Sequence, residues 1–208
     1  MHIVDGALSP AVALAGGIAS AGGIAIGLRK MTLEKIPAAG MVGATFFVAS
    51  LVHVPVGPSS VHLIMNGLAG LVLGWSAFPA LFIGLLLQAV FFGFGGLTAL
   101  GVNTLNIALP AVLVGLACRP WICAASPRGA VIWGAVAGAG AIALTAIMVG
   151  LALWATGEAF IPAAKLVFLA HLPIMAIEGL ICAAAASLIR RVQPGLFGTF
   201  ATVEGGAL

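Results

Sequence analysis

Ser9-Pro-Ala-Val-Ala-Leu-Ala-Gly-Gly-Ile-Ala-Ser-Ala-Gly-Gly-Ile-Ala-Ile-Gly-Leu-Arg-Lys30 is the stretch that decides the fold. Ser9-Pro10 reads as a helix cap followed by a first-turn proline, and Arg29-Lys30 stops the run. The apolar span from Pro10 to Leu28 matches the roughly 20 residues a helix needs to cross a bilayer. The rest of the chain has the same character. Of its 208 residues 62% are hydrophobic and 6% charged, with a mean hydropathy of +1.27. A soluble domain would carry about 25% charged residues. This excludes a soluble protein and argues against nucleic acid as a partner. The 29 glycines favour close helix contact in a membrane bundle.

Taken as a whole, the chain divides into seven apolar segments. After the first come about Ile36–Val54, closed by Pro55-Val-Gly-Pro58; a short segment from Ser59 or Ser60 to Gly74; and Ala77–Gly96. A polar patch with Asn103, Thr104 and Asn106 leads into a short fifth segment ending at Cys118-Arg119-Pro120. The sixth covers about Arg128–Trp154 and the seventh about Ile161–Arg190. Seven spans place Arg29, Lys30, Lys35, Arg119, Arg128, Arg190 and Arg191 on one side and only Lys165 near the other. By the positive-inside rule that side is cytoplasmic. The expected fold is all-α, a polytopic seven-helix membrane bundle with the N-terminus outside and the C-terminus cytoplasmic. It forms one integral membrane domain over 1–208, with an N-terminal hook (1–9), the bundle (10–191) and a cytoplasmic tail (192–208).

The hook carries chemistry. Met1-His2 offers a free amine, a backbone amide and an imidazole in succession, a nitrogen-rich planar chelate suited to nickel, copper or cobalt rather than calcium or magnesium. The opening has neither the basic stretch nor the small-residue cleavage pattern of a removed signal peptide. The expected topology brings His2, His53 and His62 to the outer face. His62, expected to open a shortened helix beside the Gly/Pro turn, can complete a square plane with the chelate. The structural alternative for His53 and His62 is an interfacial histidine satisfied by water or a carbonyl.

His171 and Glu178 share one face of segment seven, His171 about 15 Å from its outer end at a rise of 1.5 Å per residue. They read either as a buried packing pair or as groups that orient the outer turn or the chelate. Small-residue stripes occur on segment one (Ala13, Gly17, Ala21, Ala25), six (Ala135, Ala139, Ala143) and seven (Gly179, Ala183, Ser187). Each suits either a partner or internal packing. The cysteines, Cys118, Cys123 and Cys182, lack metal-site spacing and read as small hydrophobes. None of the lysines, Lys30, Lys35 and Lys165, lies in a phosphate-binding loop, so ATP hydrolysis by that route is excluded.

Three stretches together, Met1-His-Ile-Val-Asp-Gly6 with Leu8-Ser-Pro10, His53-Val-Pro-Val-Gly-Pro-Ser-Ser-Val-His-Leu63 with Asn66-Gly-Leu68, and His171-Leu-Pro-Ile-Met-Ala-Ile-Glu-Gly179, resemble the CbiM/NikM family. These are the metal-binding membrane subunits of cobalt and nickel energy-coupling-factor transporters, and the cobalt branch is the closer match. The resemblance implies that the Met1 amine, the His2 amide and imidazole, and His62 hold the metal. His53, Ser60, His171 and Glu178 would stand beside it. The ligand is then transported Co2+ or Ni2+, with no catalytic cofactor and no enzyme activity. Implied partners are a transmembrane coupling subunit, cytoplasmic ATPase subunits, a small accessory membrane subunit and membrane lipid, in a bacterial inner membrane. Val4 departs from the proline common in relatives, an expected slight loosening of the hook. A metal-ion channel and a nickel-specific member of the family are the alternative readings.

Overall fold

The computed structural model describes residues 2–51, 53–56, 58–124 and 126–198. Met1 and positions 199–208 of the expected tail lie outside the described residues. The chain is mostly helical. Helix α1 spans Pro10–Arg29, with the Ser9 hydroxyl accepting from the Val12 amide as the cap and Pro10 in the first turn. A 3-10 turn, Leu33–Lys35, leads into α2, Ile36–Ala49. A hairpin comes next, β1 (His53–Val56) antiparallel to β2 (Ser59–His62), pairing His53 with His62 and Val54 with Val61. Then come α3 (Asn66–Leu73), a 3-10 turn at Gly74–Ser76, α4 (Ala77–Phe92), α5 (Leu100–Ala124), α6 (Pro127–Thr156), α7 (Ile161–Val192) and a last turn, α8 (Gly195–Gly198).

Among the described residues five helical stretches are long and apolar enough to cross a membrane: Pro10–Arg29, Asn66–Phe92, Leu100–Cys123, Pro127–Thr156 and Glu158–Val192. The seven segments map onto this set with two differences. Helix α2 has 14 residues, short of the roughly 20 required. Helices α3 and α4 together make one apolar stretch of 27 residues, interrupted where Gly74 takes φ +56°.

Three local expectations are corrected. The residues from Ser59 do not open a helix: β-branched Val54, Val56 and Val61 lie in strands that pair, so His62 ends a strand and α3 starts only at Asn66. Asn103, Thr104 and Asn106 do not precede the fifth helix but lie inside it, all buried. Nor does that helix stop at Cys118-Arg119-Pro120. It runs 25 residues, to Ala124, with Pro110 and Pro120 inside, and the Arg119 side chain donates to the Phe197 carbonyl at 2.7 Å through Nε.

Helix α5 is central, packing on α1, α3, α4 and α6, while α6 and α7 form the most extensive helix pair. Small residues make these approaches possible: a side chain at Gly70 would overlap the Ala111 backbone, and one at Gly138 the Glu178 backbone. The stripes of α6 and α7 face each other, Gly179 lying against Ala135 and Ala139. On α1 the buried face is instead Gly16, Ser20, Gly23 and Gly27, and Ala21 and Ala25 are exposed. Cys118 and Cys182 are buried and Cys123 exposed.

Candidate metal site

Residues 2–9 fold back over the hairpin and the start of α5, tied down by a series of specific bonds. Asn103 grips Ile3 like a strand partner, its side-chain oxygen accepting from the Ile3 amide at 2.8 Å and its nitrogen donating to the Ile3 carbonyl at 3.0 Å. The Val4 amide donates to the Pro58 carbonyl at 3.2 Å. A proline at position 4 could not make that bond. Val4 therefore ties the hook down by a hydrogen bond where a proline would stiffen it.

Asp5 Oδ1 accepts from the Thr98 hydroxyl at 2.6 Å, the Thr98 amide at 3.0 Å and the Ala99 amide at 3.3 Å, satisfying orphan donors ahead of α5. The Thr98 hydroxyl bond holds its carboxyl below the usual carboxylate range. The α4–α5 loop makes room through Gly93, Gly95 and Gly96, all at positive φ. A Cβ on Gly95 would press on Asn103 and His2, and one on Gly96 would overlap the Asp5 carboxylate.

This strap delivers His2 to β2. The His2 and His62 rings stack with centroids 4.5 Å apart and planes at 23°. Both residues are buried, 3% and 2% exposed. Burial pushes each imidazole down from 6.5 to about 4, so both are neutral near pH 7. The Gln88 hydrogen bond opposes the shift at His2, and the Leu63 carbonyl does so at His62.

Their tautomers are set by what they touch. The Gln88 amide nitrogen donates to the Ser50 hydroxyl and, at 3.5 Å, to the Phe47 carbonyl, which can only accept. Its oxygen therefore faces His2, and His2 Nε2–H donates to it at 2.8 Å. The His2 lone pair is left on Nδ1, the nitrogen that closes a six-membered chelate ring with the His2 amide. His62 Nδ1–H donates to the Leu63 carbonyl at 2.8 Å, which places its lone pair on Nε2.

The other expected residues surround this pair unequally. The Ser60 hydroxyl accepts from the His2 amide at 3.4 Å. His53 is half-buried, edge-on to Phe94 at 4.0 Å, with Nδ1 3.4 Å from the Leu51 carbonyl. His171 is fully buried. Its Nδ1–H donates to the Val167 carbonyl at 2.6 Å, and Nε2 has no hydrogen-bond partner among the described residues. Glu178 accepts from the Ile64 and Met65 amides, so it bonds to the segment after His62.

Among the described residues no three His, Cys, Asp or Glu side chains converge as a metal cluster. The nitrogens of the candidate site come from two imidazoles and the main chain. Gln88, Asn103 and Thr98 were not singled out from sequence as site residues. Gln88 and Asn103 carry the usual signal of polar side chains in apolar spans, which default to functional candidates.

Five helical stretches long and apolar enough to cross a membrane, packed around two stacked and buried histidines, make this a multi-pass membrane protein. The chain belongs to the CbiM family, "Cobalt uptake substrate-specific transmembrane region", whose sequence model matches residues 2–196. It is 39% identical over 201 residues to a Haemophilus influenzae protein named for metal transport, covering 93% of this chain and 95% of that one. It is also 36% identical over 138 residues to the fused nickel transport protein NikMN of Rhodobacter capsulatus, covering 64% of this chain and 39% of that longer protein.

Two crystal structures share the fold. A truncated transition metal transporter aligns with TM-score 0.69 and 26% identity, covering 91% of this chain and 96% of that one. A transition metal transporter aligns with TM-score 0.70 and 25% identity, covering 94% and 93%. The family and these relatives are transport proteins, not enzymes.

Proposed function

We propose that the chain is the substrate-binding membrane subunit of an ATP-driven uptake transporter for cobalt or nickel. It takes the divalent ion from outside with the Met1 amine, the His2 amide nitrogen, His2 Nδ1 and His62 Nε2. The observation that carries this reading is the buried, neutral His2–His62 pair, whose hydrogen bonds to Gln88 and Leu63 put the lone pairs on the two nitrogens a planar chelate needs. Four nitrogen donors suit both metals. Seven spans, with the hook outside and the C-terminus cytoplasmic, are supported by the grouping of seven of the eight basic residues on one side.

With no phosphate-binding loop around its lysines, the subunit relies on a coupling subunit, an ATPase pair and a small accessory membrane subunit, in a bacterial inner membrane. Each ion captured displaces protons from the amine and the amide. The test is one residue added before Met1, with terminal sequencing confirming that Met1 begins the parent protein. Nickel and cobalt binding should vanish while the helical content and thermal unfolding of the apo protein stay unchanged. Retained high-affinity binding would overturn the chelate.

A further inference from the structure

The structure assigns to Glu178 a positioning role in metal capture: from α7 it holds the Ile64 and Met65 amides, and so sets where strand β2 ends and where His62 stands opposite His2. This inference rests on the reading of His62 as a ligand.

The carboxyl is 1% exposed, and Oε1 accepts from Ile64 at 2.5 Å and from Met65 at 2.9 Å, with Oε2 3.1 Å from the Met65 amide. Ile64 and Met65 join β2 to α3, two and three residues after His62. Met65 holds φ +56°, the one non-glycine residue at positive φ among the described residues, and no side chain of the segment itself caps α3. A residue with a Cβ avoids that conformation unless surrounding bonds impose it. The bonds that fix both neighbouring amides come from Glu178.

A local Ser, Asn or Asp at the cap would bond to amides inside the first turn of α3, not to those of Ile64 and Met65. A carboxylate reaching over from another helix fixes the segment relative to α7. His171 lies two turns earlier on the same face, and α7 packs against β2, so that face of α7 runs alongside the segment from His62 to Met65. The hook has anchors of its own, Gln88 of α4 and Thr98 and Asn103 at the start of α5, besides its bonds to Pro58 and Ser60 of the hairpin. Glu178 therefore acts directly on the His62 half of the site, while the anchors on α4 and α5 keep the His2 half in place.

Nickel titrations of the full chain in detergent, read by equilibrium dialysis and by the visible nickel absorption band, test this. Glu178→Gln keeps one acceptor oxygen and turns an NH2 onto the Met65 N–H that Oε2 meets at 3.1 Å. It should weaken nickel binding by roughly 10- to 100-fold, the range for partners that orient a ligand. It should also shift the band to the longer wavelength given by His62→Ala, the signature of three protein nitrogens where there were four. In the His62→Ala background Glu178→Gln should add nothing further.

If the glutamine variant does not fold, Glu178→Asp keeps the carboxylate one methylene shorter and should give the same band shift with a smaller loss. Wild-type affinity and spectrum in the variant that folds, loss of the hook's own absorption, or a further loss on top of His62→Ala would each overturn the positioning role. A wild-type spectrum in His62→Ala alone would overturn the ligand set itself, and this inference with it.

Discussion

His2 and His62 meet face to face, ring against ring, with 4.5 Å between centroids and 23° between planes. A planar chelate contains the His2 ring, whereas a stacked His62 ring lies above that plane. To donate to the same ion, His62 must turn out of the stack and bring Nε2 into the plane. Metal binding is thus expected to separate the two rings, visible as a loss of ring-current shifts on their carbon-bound protons in NMR spectra of histidine-labelled protein.

The two hairpin histidines differ sharply in surroundings, which predicts unequal variants. His62→Ala removes a buried donor and should cost more than the roughly 10- to 100-fold typical of partners beside a metal. His53→Ala removes a half-buried ring whose ring contact is with Phe94, and its effect should stay within a few-fold. Dialysis against nickel separates these outcomes. Equal losses would show that the fourth nitrogen is wrongly chosen.

Gln88 decides which nitrogen of His2 carries the proton. Gln88→Leu removes the acceptor that holds Nε2–H and lets the proton move to Nδ1, so affinity should fall by roughly 10- to 100-fold. Because Ser50 and Phe47 also lose a partner, thermal unfolding of the apo protein should drop modestly. Isotope-edited NMR of His2 reads the tautomer directly. An unchanged Nε2–H tautomer in the variant would refute the assignment.

Gly96 permits the hook to dock. Gly96→Ala puts a Cβ onto the Asp5 carboxylate at a residue with φ +76°, where the left-handed backbone alone disfavours a side chain by about 1–2 kcal/mol. The expected result is a displaced hook, weaker metal binding and a smaller metal-induced rise in melting temperature, with the bundle intact by circular dichroism. A metal response equal to wild type would contradict the docking described.

Burial sets the pH dependence. His2 and His62 are depressed from 6.5 to about 4, so the unfolded chain takes up protons that the folded chain does not. Their contribution to stability is full above about pH 6.5 and falls on acidification toward about pH 4. For binding the consequence is a proton count. Between about pH 5 and 7 the imidazoles are already neutral, and only the amine and the amide must release protons. The logarithm of nickel affinity should therefore rise with a slope near two per pH unit; a slope near four would mean that the imidazoles are charged before the ion arrives.

How far the sequence could be read depended on where each signal resided. Helix α1 was legible because its cap, its proline and its stop charges are local, and α6 and α7 were legible to within two residues at each end for the same reason. The hairpin was not. Its strands have four residues each, too few for an alternating pattern to stand out from a Gly/Pro break, and the bonds that hold the turn between β2 and α3 come from Glu178, far away in sequence. The start of α5 is hidden because a run of polar residues suggests a loop, whereas the Asn103 side chain bonds to the backbone of Ile3. Met1-His2 and His62 could be proposed from residue chemistry and family resemblance. Gln88, which orients the ring, could not be told from any other buried amide until its partners were known.

Asp5 fastens the hook to the threshold of α5, which limits how far the chain end can travel when an ion departs. With Met1 as the terminal donor proposed above, four residues lie ahead of that anchor, a reach of about 13 Å at full extension. The departed end thus stays at an effective concentration of the millimolar order, as any short tether does, and re-engagement becomes an intramolecular event. On the proposed chelate the subunit is, in kinetic terms, a self-resetting latch, and its return to readiness should not depend on protein concentration.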